Sequence, residues 1–210
     1  MSKTGPWYIW TDFGGVLTPP IAKQMADFCA KHGLVPSEMM EAMRRVAESY
    51  GVVDPLELMD RPMITEAEWL SALDKELGGA LSLTTLADAW FDGRDTNEEW
   101  VNVLREIRSE DVRVGMLSNM VPTWDKHWRK MVDAETLFDH IVLSFEEGHR
   151  KPEPGIFATA AAKAGVPPER CILVDDLEKN CAGALAEGWQ AVHFQDVARA
   201  KGKLLNILHS

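Results

Sequence analysis

The sequence predicts an α/β protein: a Rossmann-like, doubly wound parallel sheet with an α-helical cap inserted after the first strand. Three observations predict it. Five short segments are rich in aliphatic and aromatic residues, and the last four are separated by stretches of helical length, as in successive βαβ units. The stretch between the first and second segments is far longer than one crossover helix needs, and it reads as helices joined by polar turns. Polar residues follow the strands at their carboxyl ends, where open α/β sheets bind ligands.

In chain order, the first strand is expected at Trp7–Thr11, running into Asp12-Phe13-Gly14-Gly15. Helices are expected near Ile21–His32, Ser37–Tyr50, Thr65–Leu77 and Leu83–Phe91. Ser37 and Thr65 are suitable N-caps, and Thr65 with Glu68 has the spacing of a capping box. Gly78-Gly79 and Asp92-Gly93 break the helical pattern, the second marking return to the core. A helix at Asn97–Arg108 precedes strands at Val112–Leu117, His140–Leu143, Cys171–Val174 and Gln190–Phe194. A helix that follows Pro152 and Pro154 and runs to about Ala164, and another from about Leu177 to Glu187, flank the fourth strand. The expected division is a core of residues 1–17 and 93–210 with a cap of residues 18–92.

At 210 residues the chain can bury one sizeable core with a small accessory module. A net charge of −11, with 22 basic and 33 acidic residues and no basic run, excludes a phosphate-backbone footprint, so nucleic acid is not an expected partner. Cys29, Cys171 and Cys181 are few and widely spaced, without a CxxC pair, which points to reduced thiols and a cytoplasmic location. The N-terminus lacks a secretory pattern and no window holds 18 continuous apolar residues, so no membrane association is expected.

Four fragments carry chemistry. The first strand delivers Asp12 into a turn whose Gly14 and Gly15 let backbone approach a ligand; alone, the string also suits an Asx-turn. Val114-Gly115-Met116-Leu117 ends in Ser118 and Asn119, a hydroxyl and amide groups able to hold phosphoryl oxygens, though also able to cap a helix. Lys151 precedes Pro152 and Pro154, which stiffen the backbone that aims it, whereas most lysines are simply solvated. Cys171-Ile172-Leu173-Val174 ends in Asp175 and Asp176; helix capping accounts for one of them but not both. Like charges about 4 Å apart repel by roughly 4 kcal/mol at an effective dielectric near 20. Adding Asp12 therefore calls for a hard divalent cation and Lys151 as compensation.

In order and spacing, Asp12, Ser118, Lys151 and the Asp175/Asp176 pair resemble the four motifs of the haloacid dehalogenase superfamily, and the insertion is similar to its helical cap. Lys151-Pro152-Glu153-Pro154 and Val174-Asp175-Asp176 with Asn180 resemble its capped small-molecule phosphatases in particular. The resemblance implies attack by Asp12 on phosphorus, giving an aspartyl-phosphate that water hydrolyses. It implies Mg2+ held by Asp12, the Gly14 carbonyl and Asp176, with Asp175 a direct or water-mediated ligand. It implies that Ser118 and the amide of Asn119 bind phosphate oxygens, that Gly15 shapes the cradle, and that Lys151 neutralises developing charge on a small phosphorylated substrate.

One position departs from the pattern. Most phosphatases of the superfamily carry a second aspartate where this chain has Gly14, and that residue supplies general acid–base catalysis, typically about 10²- to 10⁴-fold. Its absence opens two alternatives. A 2-haloacid dehalogenase needs neither metal nor leaving-group acid, but the resemblance implies for such enzymes an aromatic residue at the position of Gly14 and no acidic pair, whereas Asp175 and Asp176 are both present. A catalytically silent binding or scaffold protein would take Gly14 as its lesion.

Other residues are read as structural. Trp124 and Trp128, at i and i+4, suit core packing, with a cleft wall as the alternative. Met39, Met40 and Met43 suit the buried face of a cap helix, and Arg44 and Arg45 suit its solvated face. His127 and His149 lie near motifs and carry the imidazole most often used as an acid or base, with His149 the better placed.

Overall fold

The protein is described from a computed structural model, which covers residues 5–81, 83 and 85–209. Five strands form one wholly parallel sheet: β1 (Trp7–Thr11), β2 (Val112–Ser118), β3 (His140–Leu143), β4 (Cys171–Asp175) and β5 (Gln190–His193), in the order β3-β2-β1-β4-β5. The helices, in chain order, are α1 (Ile21–His32), α2 (Pro36–Ser49), α3 (Glu57–Asp60), α4 (Glu66–Glu76), α5 (Leu86–Phe91) and α6 (Glu98–Ile107). They continue with α7 (Asp125–Trp128), α8 (Ala134–Leu137), α9 (Ser144–Glu147), α10 (Pro154–Ala164), α11 (Glu178–Ala186) and α12 (Val197–Leu208). The expected α/β class is therefore realised.

Continuous apolar runs become strands because both faces of the sheet are covered; every residue of β4 is buried. On one face Tyr8 and Trp10 stack with ring centres 4.7 Å apart and meet Ile156, Phe157 and Ala160 of α10, Ala184 of α11, and Trp189. Gly115 permits this packing, since a Cβ there would come 2.7 Å from the Trp10 ring. On the opposite face Thr11 meets Trp100 of α6, whose ring stands edge-on to Phe194 at 5.2 Å. Strand order reverses at β1, between β2 and β4, so the ends of these three strands define the ligand-binding crevice of a doubly wound sheet.

The chain divides into two compact units. The first comprises Met1–Pro20, Asp95–Asn119 and Val132–Ser210 and holds the sheet. The second comprises Ile21–Arg94 and Met120–Met131. Its interior includes Phe28, Met39, Met43, Trp69, Leu73, Trp90, Trp124 and Trp128, all buried. Glu66 of α4 accepts hydrogen bonds from the amides of Leu86 and Ala87 at 2.6 and 3.2 Å, capping α5, and also accepts from the Thr123 hydroxyl. Trp90 and Trp124 stack at 5.7 Å.

Three local expectations are corrected. Ser37 is not an N-cap: Val35 takes that place, because Pro36, with its fixed φ and missing N–H, fits the first helical position. Met40 is 49% exposed while Met39 and Met43 are buried, the helical period turning it outward. The Thr65–Glu68 capping box forms with both reciprocal bonds. α5 starts at Leu86 rather than Leu83; Ser82 and Thr84 lie outside the described residues. Among the described residues no helix is long and apolar enough to cross a membrane.

Candidate active site

Three strand ends and one loop bring the predicted residues together within the sheet unit. Asp12 follows β1, its amide donating to the Val174 carbonyl at 2.9 Å, so its backbone is registered against β4. Phe13–Leu17 then turns sharply; Gly15 has φ 79°, and a Cβ there would lie 2.1 Å from Asp176 Oδ2. Gly15 is thus required both by backbone conformation and by the closeness of Asp176. Gly14, at φ −72° and ψ 124°, has a conformation open to any residue.

Lys151 is the centre of the cluster and is buried. Its Nζ lies 2.9 Å from Asp12 Oδ1 and 2.6 Å from Asp175 Oδ2, and donates to the Leu117 carbonyl at 2.7 Å. Its three N–H donors are matched by three acceptors. The Asn119 side chain clasps the lysine's backbone, accepting from its N–H at 2.8 Å and donating to its carbonyl at 3.0 Å. Asn119 thereby fastens the loop bearing Lys151 to the end of β2. The Ser118 hydroxyl donates to the Asn119 carbonyl at 3.4 Å and lies near enough to Asp12 to favour its carboxylate.

The two adjacent aspartates are not equivalent. Asp175 is fully buried; Oδ2 meets Lys151, while Oδ1 accepts from the Leu177 amide and from Asn180 Nδ2, each at 2.9 Å. Asp176 is held through its backbone, its carbonyl 3.0 Å from His193 Nε2. Oxygen atoms of Asp12, Asp175 and Asp176 lie within 4.8 Å of one another. Burial, reinforced by Asp12 and Asp175, pushes the Asp176 carboxyl up to about 7. Burial also raises Asp12 against the pull of Lys151. For Lys151, burial opposes the charge but the two carboxylates outweigh it, so its pKa lies above the ordinary lysine value. Three carboxylates against one ammonium leave an excess of negative charge among hard oxygen donors, which is the donor chemistry of a divalent cation.

The discounted residues pack elsewhere. The His149 ring lies against Gly155 at the start of α10 and 3.7 Å from Glu153. In the other unit, His127 stacks on Phe91 at 5.2 Å, and Trp124 and Trp128 are buried. Arg44 and Arg45 sit on the surface in ion pairs with Glu41, Glu48 and Glu76. Sequence reading passed over Thr11, Asn97 and Trp100, which support the turn after Asp12.

This parallel sheet, with an acidic cluster and a lysine at its strand ends, belongs to a hydrolase class defined by sequence as well as by fold. The chain is a member of the haloacid dehalogenase-like hydrolase family, whose family model matches residues 9–188. It is 31% identical over 122 residues to the glyceraldehyde 3-phosphate phosphatase of Methanothermobacter thermautotrophicus, covering 57% of this chain and 53% of that one. The chain spans about half the length of the curated relatives it matches. Among solved structures it is similar to a HAD family enzyme of Bacteroides thetaiotaomicron, a mutant in complex with magnesium and inorganic phosphate. That likeness has 24% identity and a TM-score of 0.66, covering 91% of this chain and 95% of the other. It is also similar to the L-2-haloacid dehalogenase of Xanthobacter autotrophicus with covalently bound chloropropionic acid, at 16% identity and a TM-score of 0.63, covering 96% and 83%. At these identities the structural likeness is one of fold.

Proposed function

We propose that this hydrolase is a magnesium-dependent phosphatase acting on a small phosphorylated metabolite through an aspartyl-phosphate on Asp12. The observation that carries the reading is Lys151 Nζ held between Asp12 and Asp175, with Asp176 completing a carboxylate cluster. Asp12 and Asp176 would hold Mg2+ directly with the Gly14 carbonyl; Asp175, with both oxygens already bonded within the protein, would act through water. The ion would supply charge neutralisation at the transferring phosphoryl group.

Asp12 Oδ attacks phosphorus, the ester oxygen leaves with the bonding electron pair, and water then releases phosphate and regenerates the carboxylate. Ser118 and the Asn119 amide orient the non-bridging oxygens, and Lys151 balances their charge. With Gly14 in place of an acid, the leaving oxygen takes its proton from solvent or from the substrate itself, which favours good leaving groups. The helical insertion, residues 18–92, would act as a cap and select the substrate. The reduced, buried cysteines suit a cytoplasmic setting.

The missing acid keeps the haloacid dehalogenase chemistry as a second reading, since displacement of halide by Asp12 needs no leaving-group proton. Hydrolysis of p-nitrophenyl phosphate and a panel of phosphorylated metabolites, with Mg2+ and with chelator, in wild type and Asp12→Asn, separates the two. Phosphate release that needs both metal and Asp12 is expected. Release that survives chelator or Asp12→Asn would refute the proposal, and chelator-resistant halide release from 2-haloacids would install the alternative.

A further inference from the structure

We propose that Trp100 is a positioning residue for Asp12, acting through the Thr11 hydroxyl, and that Asn97 holds the far end of the same turn; this rests on the reading of Asp12 as nucleophile. Trp100 and Thr11 are both fully buried. The indole N–H can only donate, and it reaches Thr11 Oγ1 at 3.1 Å. That contact uses the hydroxyl as an acceptor and leaves its single hydrogen for the Asp12 carbonyl, also at 3.1 Å. The two bonds form a relay from α6 to the backbone of Asp12.

Asn97, one helical turn earlier, holds the other end. Its side-chain Nδ2 donates to the Val16 carbonyl at 2.9 Å and its backbone N–H to the Leu17 carbonyl at 2.8 Å. Its Oδ1 meanwhile accepts from the Trp100 amide at 3.3 Å, capping α6. One side chain therefore starts the helix and grips the turn. The segment from Thr11 to Leu17 is pinned at each end by the first turn of α6, and between the pins Gly15 runs against Asp176. A turn pinned at one end only could rotate Asp12 about β1. Displacement of a reacting group by about 1 Å costs on the order of 100-fold in rate, so small slack suffices to slow attack.

The test compares Thr11→Val, which keeps a β-branched side chain of the same shape without the hydroxyl, with Thr11→Ser, which keeps the hydroxyl, and with Trp100→Phe. Deuterium exchange of the amides from Phe13 to Thr18 is the first readout, the Thr18 amide being bonded across the turn to the Phe13 carbonyl. Thr11→Val and Trp100→Phe are each expected to speed exchange there by about 10-fold, with α10 unchanged and Thr11→Ser matching wild type. The second readout is kinetic: kcat for phosphoester hydrolysis falls about 10-fold in Thr11→Val with KM within about twofold, and Thr11→Ser restores it. Unchanged exchange in both hydroxyl-relay variants overturns the inference even if the phosphatase stands, and so does loosening in Thr11→Ser equal to that in Thr11→Val. Should Thr11→Val fail to fold, Trp100→Phe decides alone. If wild type hydrolyses no phosphoester, the functional reading fails while exchange still decides whether the turn is clamped.

Discussion

Asp175 and Asp176 are identical neighbours in sequence, yet the fold gives them opposite tasks. Asp175 ties Lys151, Leu177 and Asn180 together inside the protein, whereas the Asp176 carboxylate lies against Gly15 at the edge of the acidic cluster. Asp175→Asn should therefore cost about 3 kcal/mol of stability, because it leaves Lys151 short of a buried counter-charge. Asp176→Asn should leave stability within about 1 kcal/mol of wild type, or raise it, by removing like-charge repulsion, while weakening Mg2+ binding. Urea unfolding and calorimetric Mg2+ titration of the two variants check this, and equal stability losses would contradict it. Gly14 offers a further test. Since its backbone suits any residue, Gly14→Asp is expected to fold normally and to raise turnover of substrates with poor leaving groups by about 10-fold or more. An unchanged rate would mean that protons already reach the leaving oxygen by another route. Asp12, Lys151 and the aspartate pair were legible in the sequence because each follows an apolar strand or sits among prolines. Thr11 and Trp100 were not: a threonine in a strand and a tryptophan in an amphipathic helix look like ordinary packing until α6 is laid on the sheet.

Among elements, the join between α6, β2 and β3 depends on Asp139. Its carboxylate accepts from the Val114 amide at 3.1 Å, from Arg108 at 2.7 Å and from Arg113 at 3.2 Å. Burial alone would raise its pKa, but the Val114 and Arg108 bonds outweigh it and hold the carboxyl below the usual range. A pKa depressed on folding gives stability that is present above the unfolded value, near 3.9, and lost as pH falls through the folded value. Asp139→Asn should thus cost about 1 kcal/mol at neutral pH, allowing for screening at the half-exposed arginines, and the gap to wild type should close in acid. Urea midpoints across that range measure it, and a gap independent of pH would exclude the mechanism. In the insertion, Thr65→Ala removes the α4 capping box and should cost about 1 kcal/mol. All five strands were legible to within a residue at each end because each holds a short apolar stretch bounded by polar residues or glycine, unbroken in the fully buried β4. Helix starts were less so at α2, where Pro36 outcompeted Ser37, a contest between fixed φ and a side-chain acceptor.

At the scale of the molecule, the chain passes between its two units four times, after Pro20, Arg94, Asn119 and Met131. No sequence period announces that Met120–Met131 joins the insertion; the bond is made by contacts such as Trp124 on Trp90 and edge-on to Phe91 at 5.6 Å. A variant lacking residues 21–94 should consequently expose Trp124, bind hydrophobic dyes and self-associate. A monomeric, dye-silent product would show that Trp124 finds other cover. The three free cysteines give this arrangement a built-in stopwatch. All are buried, and burial pushes the Cys171 and Cys181 thiols up to about 12, so neither is a ready nucleophile in the folded protein. Cys29 lies in α1 of one unit, while Cys171 and Cys181 lie in the other. Maleimide capture, read by which cysteine gains mass first, therefore times the breathing of each half of the molecule separately, with no residue changed.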